Sequence, residues 1–304
     1  MAQIGKSVAM NSGGSRLVAA LTGTWGPRVV WLGIGIVGSW SIGEAVDGRS
    51  SAVRAVVTVA GWLAWGIGVV ALVVPSTFGL TVIRMVNAVA GGAAIVSWIG
   101  GASQASGATF AAGTLIGGLF IGGAEFGQRC AQASAYGDEH RFLLRPPAAF
   151  LPPVVVAGLI WTAAVIAAPL LLASRQWLPG GVVAVLGSAL TWLLLPRFHT
   201  LSRRWIVLVP AGVVVHDQVV LAETLMVPRA QVAGIELAPA DTEAADFTGP
   251  VTGHAVEITM RSMVTALLAP TKESPRGKAL HVQSFIVSPS RPGAVLQAAR
   301  NGFD

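Results

Sequence analysis

Six apolar runs of about 17 to 22 residues, the length that crosses a bilayer as helix, occupy most of the chain as far as Pro196. They extend from Val29 to Val46, Ala55 to Val74, Val82 to Ala102, Ala108 to Phe126, Val154 to Ala173 and Leu178 to Leu195. Proline lacks the N–H that a helix ladder needs. Pro75 and Pro196 therefore read as stops, Pro152-Pro153 as the opening of the fifth run, and Pro169 as a bend near its far end. Beyond Pro196 the pattern shortens to strands. Trp205 to Val209 and Val213 to Val215 flank Pro210-Ala211-Gly212, a turn punctuated by Pro and Gly. Further β-rich runs are Val219 to Val227, Val232 to Leu237, Ala255 to Met260, Val264 to Leu268 and His281 to Val287. The end reads as helix: Ser290 as N-cap, Pro292 in the first turn, Val295, Leu296 and Ala299 on one face, and Asn301-Gly302 as the stop. The fold class this predicts is an α-helical membrane bundle of about six transmembrane helices followed by a small C-terminal β-barrel with a capping helix. The domains are an N-terminal arm (1–24), a six-span domain (25–196) and a C-terminal soluble domain (197–304).

Composition agrees with a membrane setting. The chain is 53% hydrophobic and 11% charged, against about a quarter charged in soluble domains. Only Glu44, Asp47, Glu125, Asp138 and Glu139 are acidic before Pro196. The pI near 10.7 does not point to nucleic acid, because the bases stand singly at the ends of apolar runs rather than clustered on one face. Their distribution gives an orientation instead. With the N-terminus inside, the inner segments hold Lys6, Arg16, Arg28, Arg84, Arg129, Arg141, Arg145, Arg197, Arg203 and Arg204, and the outer ones hold Arg49, Arg54 and Arg175. An even number of spans then leaves both termini in the cytoplasm and makes this a multi-pass plasma-membrane protein. The polar arm before Arg28 is followed by no small-x-small cleavage site, so it is expected to be retained. The single Cys130 excludes an internal disulfide and any multi-cysteine zinc site.

The soluble tail carries a resemblance. Arg204-Trp205-Ile206-Val207-Leu208-Val209-Pro210-Ala211-Gly212-Val213-Val214-Val215-His216-Asp217 resembles the opening hairpin of bacterial pleckstrin-homology-like (PH-like) domains. Glu223 to Arg229 resembles their third strand, and Phe285-Ile286-Val287-Ser288-Pro289-Ser290-Arg291-Pro292-Gly293 their last strand turning into the capping helix. In layout the whole chain is similar to actinobacterial multi-pass membrane proteins with such a domain at the C-terminus. The resemblance covers about residues 200 to 302. It implies a binding or assembly module and transfers no active-site residue.

Candidate chemistry is sparse. Arg84, Glu125 and Arg129 form a candidate intramembrane charge group, with Arg84 about one turn inside the third span and Glu125 about one turn inside the fourth. Such charges either pair, snorkel to the headgroups, or mark an ion path. Glu44 reads as an interfacial charge within reach of Arg49. Gly113, Gly117, Gly118 and Gly122 give small-xxx-small spacings, a candidate helix-packing face within the chain or toward another copy. Trp25, Trp31, Trp98, Trp177 and Trp192 read as interfacial anchors, and Trp62, Trp65 and Trp161 as packing between helices. The five histidines are scattered, no catalytic or nucleotide-binding motif occurs, and no cofactor is implied. Candidate lipid or partner contacts are Arg141, Phe142 and Arg145 in the Tyr136–Pro147 loop, and Lys272, Arg276 and Lys278 in a basic loop of the tail. The acidic stretch Glu236 to Asp246 reads as a solvated loop. The expected function is a non-enzymatic membrane scaffold, assembly factor or regulator, with the lipid bilayer and another membrane protein or a second copy as partners. The alternative is a small transporter or channel subunit built on the Gly-rich spans.

Overall fold

The computed structural model describes residues 24–270 and 274–303, which divide into two compact units. The first, up to Arg129 and again over Ala157–Leu195, is helical. Its helices are α1 (Gly26–Val46), α2 (Ser51–Val73), α3 (Thr77–Gly100), α4 (Gln104–Gly122) and the greater parts of α6 (Leu151–Ala173) and α7 (Trp177–Ser202). The short α5 (Ala124–Gln132) follows α4. All six long helices have the length and apolar character of membrane spans, so the protein is a multi-pass membrane protein by this measure. Their outward faces carry Ile36, Leu119, Leu178 and Trp192, each more than 70% exposed, which is tolerable only against lipid.

Serine starts α2, α3 and α4. Ser50, Ser76 and Ser103 accept from the backbone N–H of Val53, Gly79 and Ser106, satisfying donors the first turn leaves orphaned. Two expectations fail here. The fourth span ends at Gly122 rather than Phe126, since Gly123 takes an extended backbone and the chain restarts as α5. Pro196 does not stop the sixth helix, which runs through it to Ser202. Thr200 and Ser202 fold their hydroxyls back onto the carbonyls of Pro196 and Phe198 in that last stretch, local bonding that tolerates an irregular ladder. The division between the units nevertheless falls at Leu195/Pro196.

The second unit comprises Cys130–Val156 and everything from Pro196 onward. It is two four-stranded sheets and a helix rather than a closed barrel. One sheet has the order β1 (His140–Leu143), β2 (Trp205–Val209), β3 (Gly212–His216), β4 (Leu225–Pro228), all antiparallel. The other has the order β5 (Val232–Leu237), β7 (Val256–Leu268), β8 (Lys278–Val287), β6 (Ala245–Asp246), with β6 parallel to β8. Helix α8 (Pro292–Phe303) closes the chain. The β2–β3 hairpin and the final helix stand where the sequence places them. The runs Ala255–Met260 and Val264–Leu268 prove to be one strand interrupted by a register shift, and only the end of Val219–Val227 is strand.

Of the elements absent from the sequence reading, α5 and β6 among them, the one that shapes the sheet unit is β1. It comes from the segment between the fourth and fifth spans and pairs Leu143 with Trp205 and His140 with Leu208. Phe142 and Leu144 thereby enter the core with Ile206, Val213, Val227, Phe247, Ile258, Phe285 and Val295. The outer edge of β1 is closed by side-chain and backbone groups. Gln132 donates to the carbonyl of Glu139 and accepts from the N–H of Arg141, and Ser290 N–H bonds the carbonyl of Leu143. An edge strand so capped offers a poor pairing surface to other chains.

Candidate functional site

In the helical unit, three groups of contacts shape a cleft. Trp31 Nε1 donates to the carbonyl of Trp65 at 2.9 Å, and Trp65 Nε1 donates to the carbonyl of Trp31 at 3.0 Å. Each ring lies over a glycine of the facing helix: a Cβ on Gly68 would stand 2.3 Å from the Trp31 ring, and one on Gly35 2.3 Å from the Trp65 ring. This reciprocal clasp locks α1 to α2. It corrects the reading of Trp31 as an interfacial anchor, since Trp31 is 2% exposed, whereas Trp25, Trp98, Trp177 and Trp192 are exposed. Trp62 meets Trp65 edge to face but is itself half exposed, and Trp161 is buried with its N–H on Thr191. At one end of the α1–α2 pair, Arg28 donates twice to the carbonyl of Leu72, a cation on the C-terminal carbonyls of α2.

The second contact group is on α4. Gly117 faces Asn87 Oδ1 and Ile34, Gly118 faces Asn87 Nδ2, and Gly113 faces Ile34, so the small-residue face packs inside the bundle against α1 and α3. Gly122 faces open space. Asn87 Nδ2 bonds the carbonyl of Thr114, while its buried Oδ1 faces Gly117 and has no hydrogen-bond partner among the described residues. The third group is polar. Ser41 and Ser97 hydroxyls meet at 3.0 Å, and Glu44 accepts from Ser103 N–H and Ser106 Oγ at the start of α4, rather than turning to Arg49.

Between α1, α2, α3 and α6 these contacts leave a cleft of about 680 Å³. Gly92 admits α6, whose Thr162 and Ile166 side chains lie against it. The walls include Ile42, Val57, Ala60, Ala90, Ala93 and Ile166; the end near the α1–α2 turn carries Arg49 and Ser50.

In the sheet unit the most tightly built polar feature is a fully buried ion pair. Arg204 Nε and Nη2 donate to the two carboxylate oxygens of Asp217 at 2.8 and 2.7 Å, both side chains at 0% exposure. The other Arg204 donors reach the carbonyls of Arg145 and Thr248. Asp217 also accepts from Val219 N–H. One guanidinium therefore joins the end of β1, the start of β2, the loop after β3 and the loop after β6. Nearby, His216 stacks on Trp205 at 5.2 Å and shares a hydrogen bond with Thr224. Burial, with help from the Arg203 and Arg141 charges and against Asp217, holds the His216 pKa below its ordinary 6.5.

The candidate contact residues divide. Phe142 is buried in the core and is no contact surface. Arg145 bonds the carbonyls of Thr252 and His254, so it fastens a loop, and burial lowers its pKa. Arg141 pairs with Glu139 and lies 5.5 Å from the Trp205 ring. Arg276 and Lys278 are exposed at the β7–β8 turn, and Lys272 lies outside the described residues. So do Lys6 and Arg16 of the N-terminal arm. On the strands behind that turn, Met263 is 69% and Leu267 38% exposed.

Arg84 sits half-buried seven residues into α3, deeper than the one turn expected, because the helix begins at Thr77 rather than Val82. Glu125 does not lie in a span: it is in the first turn of α5, with Arg129 one turn on. The acidic stretch is not all loop, because β5 runs into it and β6 ends it, with Thr242 bonded to Glu257. The cleft, the tryptophan clasp and the buried ion pair were missed. The facing tryptophan–glycine spacings, Trp31 with Gly35 and Trp65 with Gly68, are the one signal in the sequence that marks the clasp. Among the described residues no group of three or more His, Cys, Asp or Glu side chains could hold a metal ion. No protein family, curated protein or solved structure matches the chain.

Proposed function

We propose that this protein is a non-enzymatic scaffold, assembly factor or regulator of the plasma membrane, with a PH-like sheet unit on the cytoplasmic face. The observation that carries this reading is the architecture of that unit. Two four-stranded, mainly antiparallel sheets share one core and end in a helix that contributes Val295 and Ala299 to it. The order of strands followed by a closing helix supports the PH-like reading, although the sheets form no closed barrel. The β7–β8 hairpin supplies a docking face: Met263 and Leu267 are exposed apolar groups, with exposed Arg261 two residues from Met263 and exposed Arg276 and Lys278 at the turn end of the hairpin. An apolar centre with arginine around it is the composition of protein contact surfaces. The partner is another membrane protein or a second copy, and the bilayer holds the chain in place.

The test is affinity purification of the full chain from solubilised membranes, beside a Met263→Asp, Leu267→Asp variant. A protein that copurifies with the wild type and is lost from the variant is the expected result. A chain that purifies alone at equal expression, or identical partners on both, would overturn the proposal. A second reading, a small transporter or channel subunit, draws support from the cleft in the helical unit. Loss of a solute or ion flux in a Ser97→Leu variant that still expresses would favour it, because Ser97 lines that cleft.

A further inference from the structure

We propose that the cleft between α1, α2, α3 and α6 binds one anionic phospholipid, with an acyl chain along the cleft and the headgroup at Arg49. Its shape fits an amphiphile. On α1 the lining runs from Trp31 to Val46, about 22 Å at 1.5 Å per residue, or some three quarters of a 30 Å hydrocarbon core. Its volume of about 680 Å³ falls within the roughly 300–1,000 Å³ of small-ligand sites.

Polarity is graded along that length. At the deep end the Trp31 and Trp65 N–H groups are bonded to each other's carbonyls, so the rings present hydrocarbon to the cleft. The middle is mainly Val, Ala, Ile and Gly, with the uncharged hydroxyls of Ser39, Thr58 and Ser97 among them, on helices whose backbone groups bond internally. Charge enters at one end only, with the exposed Arg49 on the turn between α1 and α2. A guanidinium there matches a phosphate, which it can bind through two parallel hydrogen bonds.

Two glycines carry the argument further. Gly35 and Gly68 are explained by the rings that lie on them. Gly43 and Gly61 line the cleft yet touch no facing helix backbone: nothing lies within 4 Å of a Cβ on Gly43, and only Ile42 Cδ1, at 3.9 Å, near one on Gly61. Each is a poorer helix former than alanine. What each provides is width for an occupant.

The experiment titrates the detergent-purified full chain with dioleoyl phosphatidylglycerol or dioleoyl phosphatidylcholine and counts bound lipid by native mass spectrometry. The wild type is expected to retain one phosphatidylglycerol at severalfold lower concentration than phosphatidylcholine. Gly43→Leu with Gly61→Leu fills the cleft and lowers that occupancy at least tenfold, without lowering the unfolding temperature. Arg49→Gln removes about fivefold of the preference for the anionic lipid, the effect of one charge beside a headgroup. Undiminished binding to the leucine pair, or equal affinity of the wild type for the two lipids, overturns the proposal. Should the leucine pair fail to fold, Arg49→Gln decides alone, because that side chain is exposed; an unchanged preference rejects the site.

Discussion

Replacing Asp217 with alanine should destabilise the sheet unit far more than loss of an ordinary ion pair. Arg204 makes four hydrogen bonds, at 2.8, 2.7, 2.6 and 3.1 Å, and two of them end on Asp217. The substitution leaves a fully buried guanidinium with two neutral carbonyls for company, and leaves Val219 N–H without its carboxylate. Breaking a buried pair from one side costs about 3–5 kcal/mol, because the remaining charge is neither solvated nor neutralised. At 1.4 kcal/mol per decade this lowers the folded-to-unfolded ratio roughly 140- to 4,000-fold. Pulse proteolysis of the detergent-purified chain across a urea series, read on the C-terminal fragment, measures it. Glu139→Ala is the internal control. Its partner Arg141 is partly exposed, so its loss should cost about 0.2–1 kcal/mol. The double variant Arg204→Met, Asp217→Leu removes both charges together and should lie much closer to the wild type. A loss under about 1 kcal/mol for Asp217→Ala, matching the control, would refute the reasoning that burial makes this pair different.

Three further outcomes follow from other parts of the molecule. Gly68→Ala drives a methyl into the Trp31 ring, 2.3 Å away; overpacking of this kind costs about 1–3 kcal/mol, visible as a lower unfolding temperature by fluorescence-detected size exclusion, whereas Gly33→Ala, with nothing within 4 Å, should be neutral. The lowered pKa of His216 means that the unfolded chain takes up a proton first as pH falls, so stability is full above about 6.5 and declines between that value and the lower folded-state pKa; His216→Asn should flatten the urea midpoint between pH 7.5 and 5.5, and parallel curves for the two proteins would count against the assignment. In a Cys130→Ala background, cysteines placed at the exposed Tyr136 and Arg276 should both resist an impermeant maleimide in intact cells and both react after lysis. Both positions belong to the unit that pairs β1 with β2, so labelling of one alone would contradict that pairing.

What the sequence revealed is what depends on local order. Hydropathy over twenty residues places a span without knowledge of its neighbours, and Pro210-Ala211-Gly212 between two β-branched runs specifies a hairpin by itself. Proline was a weaker guide: at Pro75 the helix stops, while at Pro196 it continues. The strand β1 could not be read, because His140-Arg141-Phe142-Leu143 shows no alternation over four residues and gains its identity only from a partner far along the chain. The same non-locality hides the Arg204–Asp217 pair, thirteen residues apart and met only when β2 and β3 fold back. For the cleft, the decisive quantity is the distance between helices. Tryptophan spacing marks Gly35 and Gly68, but nothing in the sequence marks Gly43 and Gly61 as lining open space.

The origin of β1 has a consequence for how the protein is made. Leu143 must wait for Trp205, about 60 residues later, which at 5–20 residues per second is several seconds of synthesis. Between them the chain has to thread α6 and α7 through the bilayer. If that pair inserts, both strands emerge on one side and the sheet can zip. If only one of the two helices crosses, β1 and β2 are stranded on opposite faces, and Phe142 and Leu144 have no core to join. The finished sheet thus reports that the last hairpin has inserted, and a failed product exposes its apolar strands to the cell's proteases from the moment it leaves the ribosome.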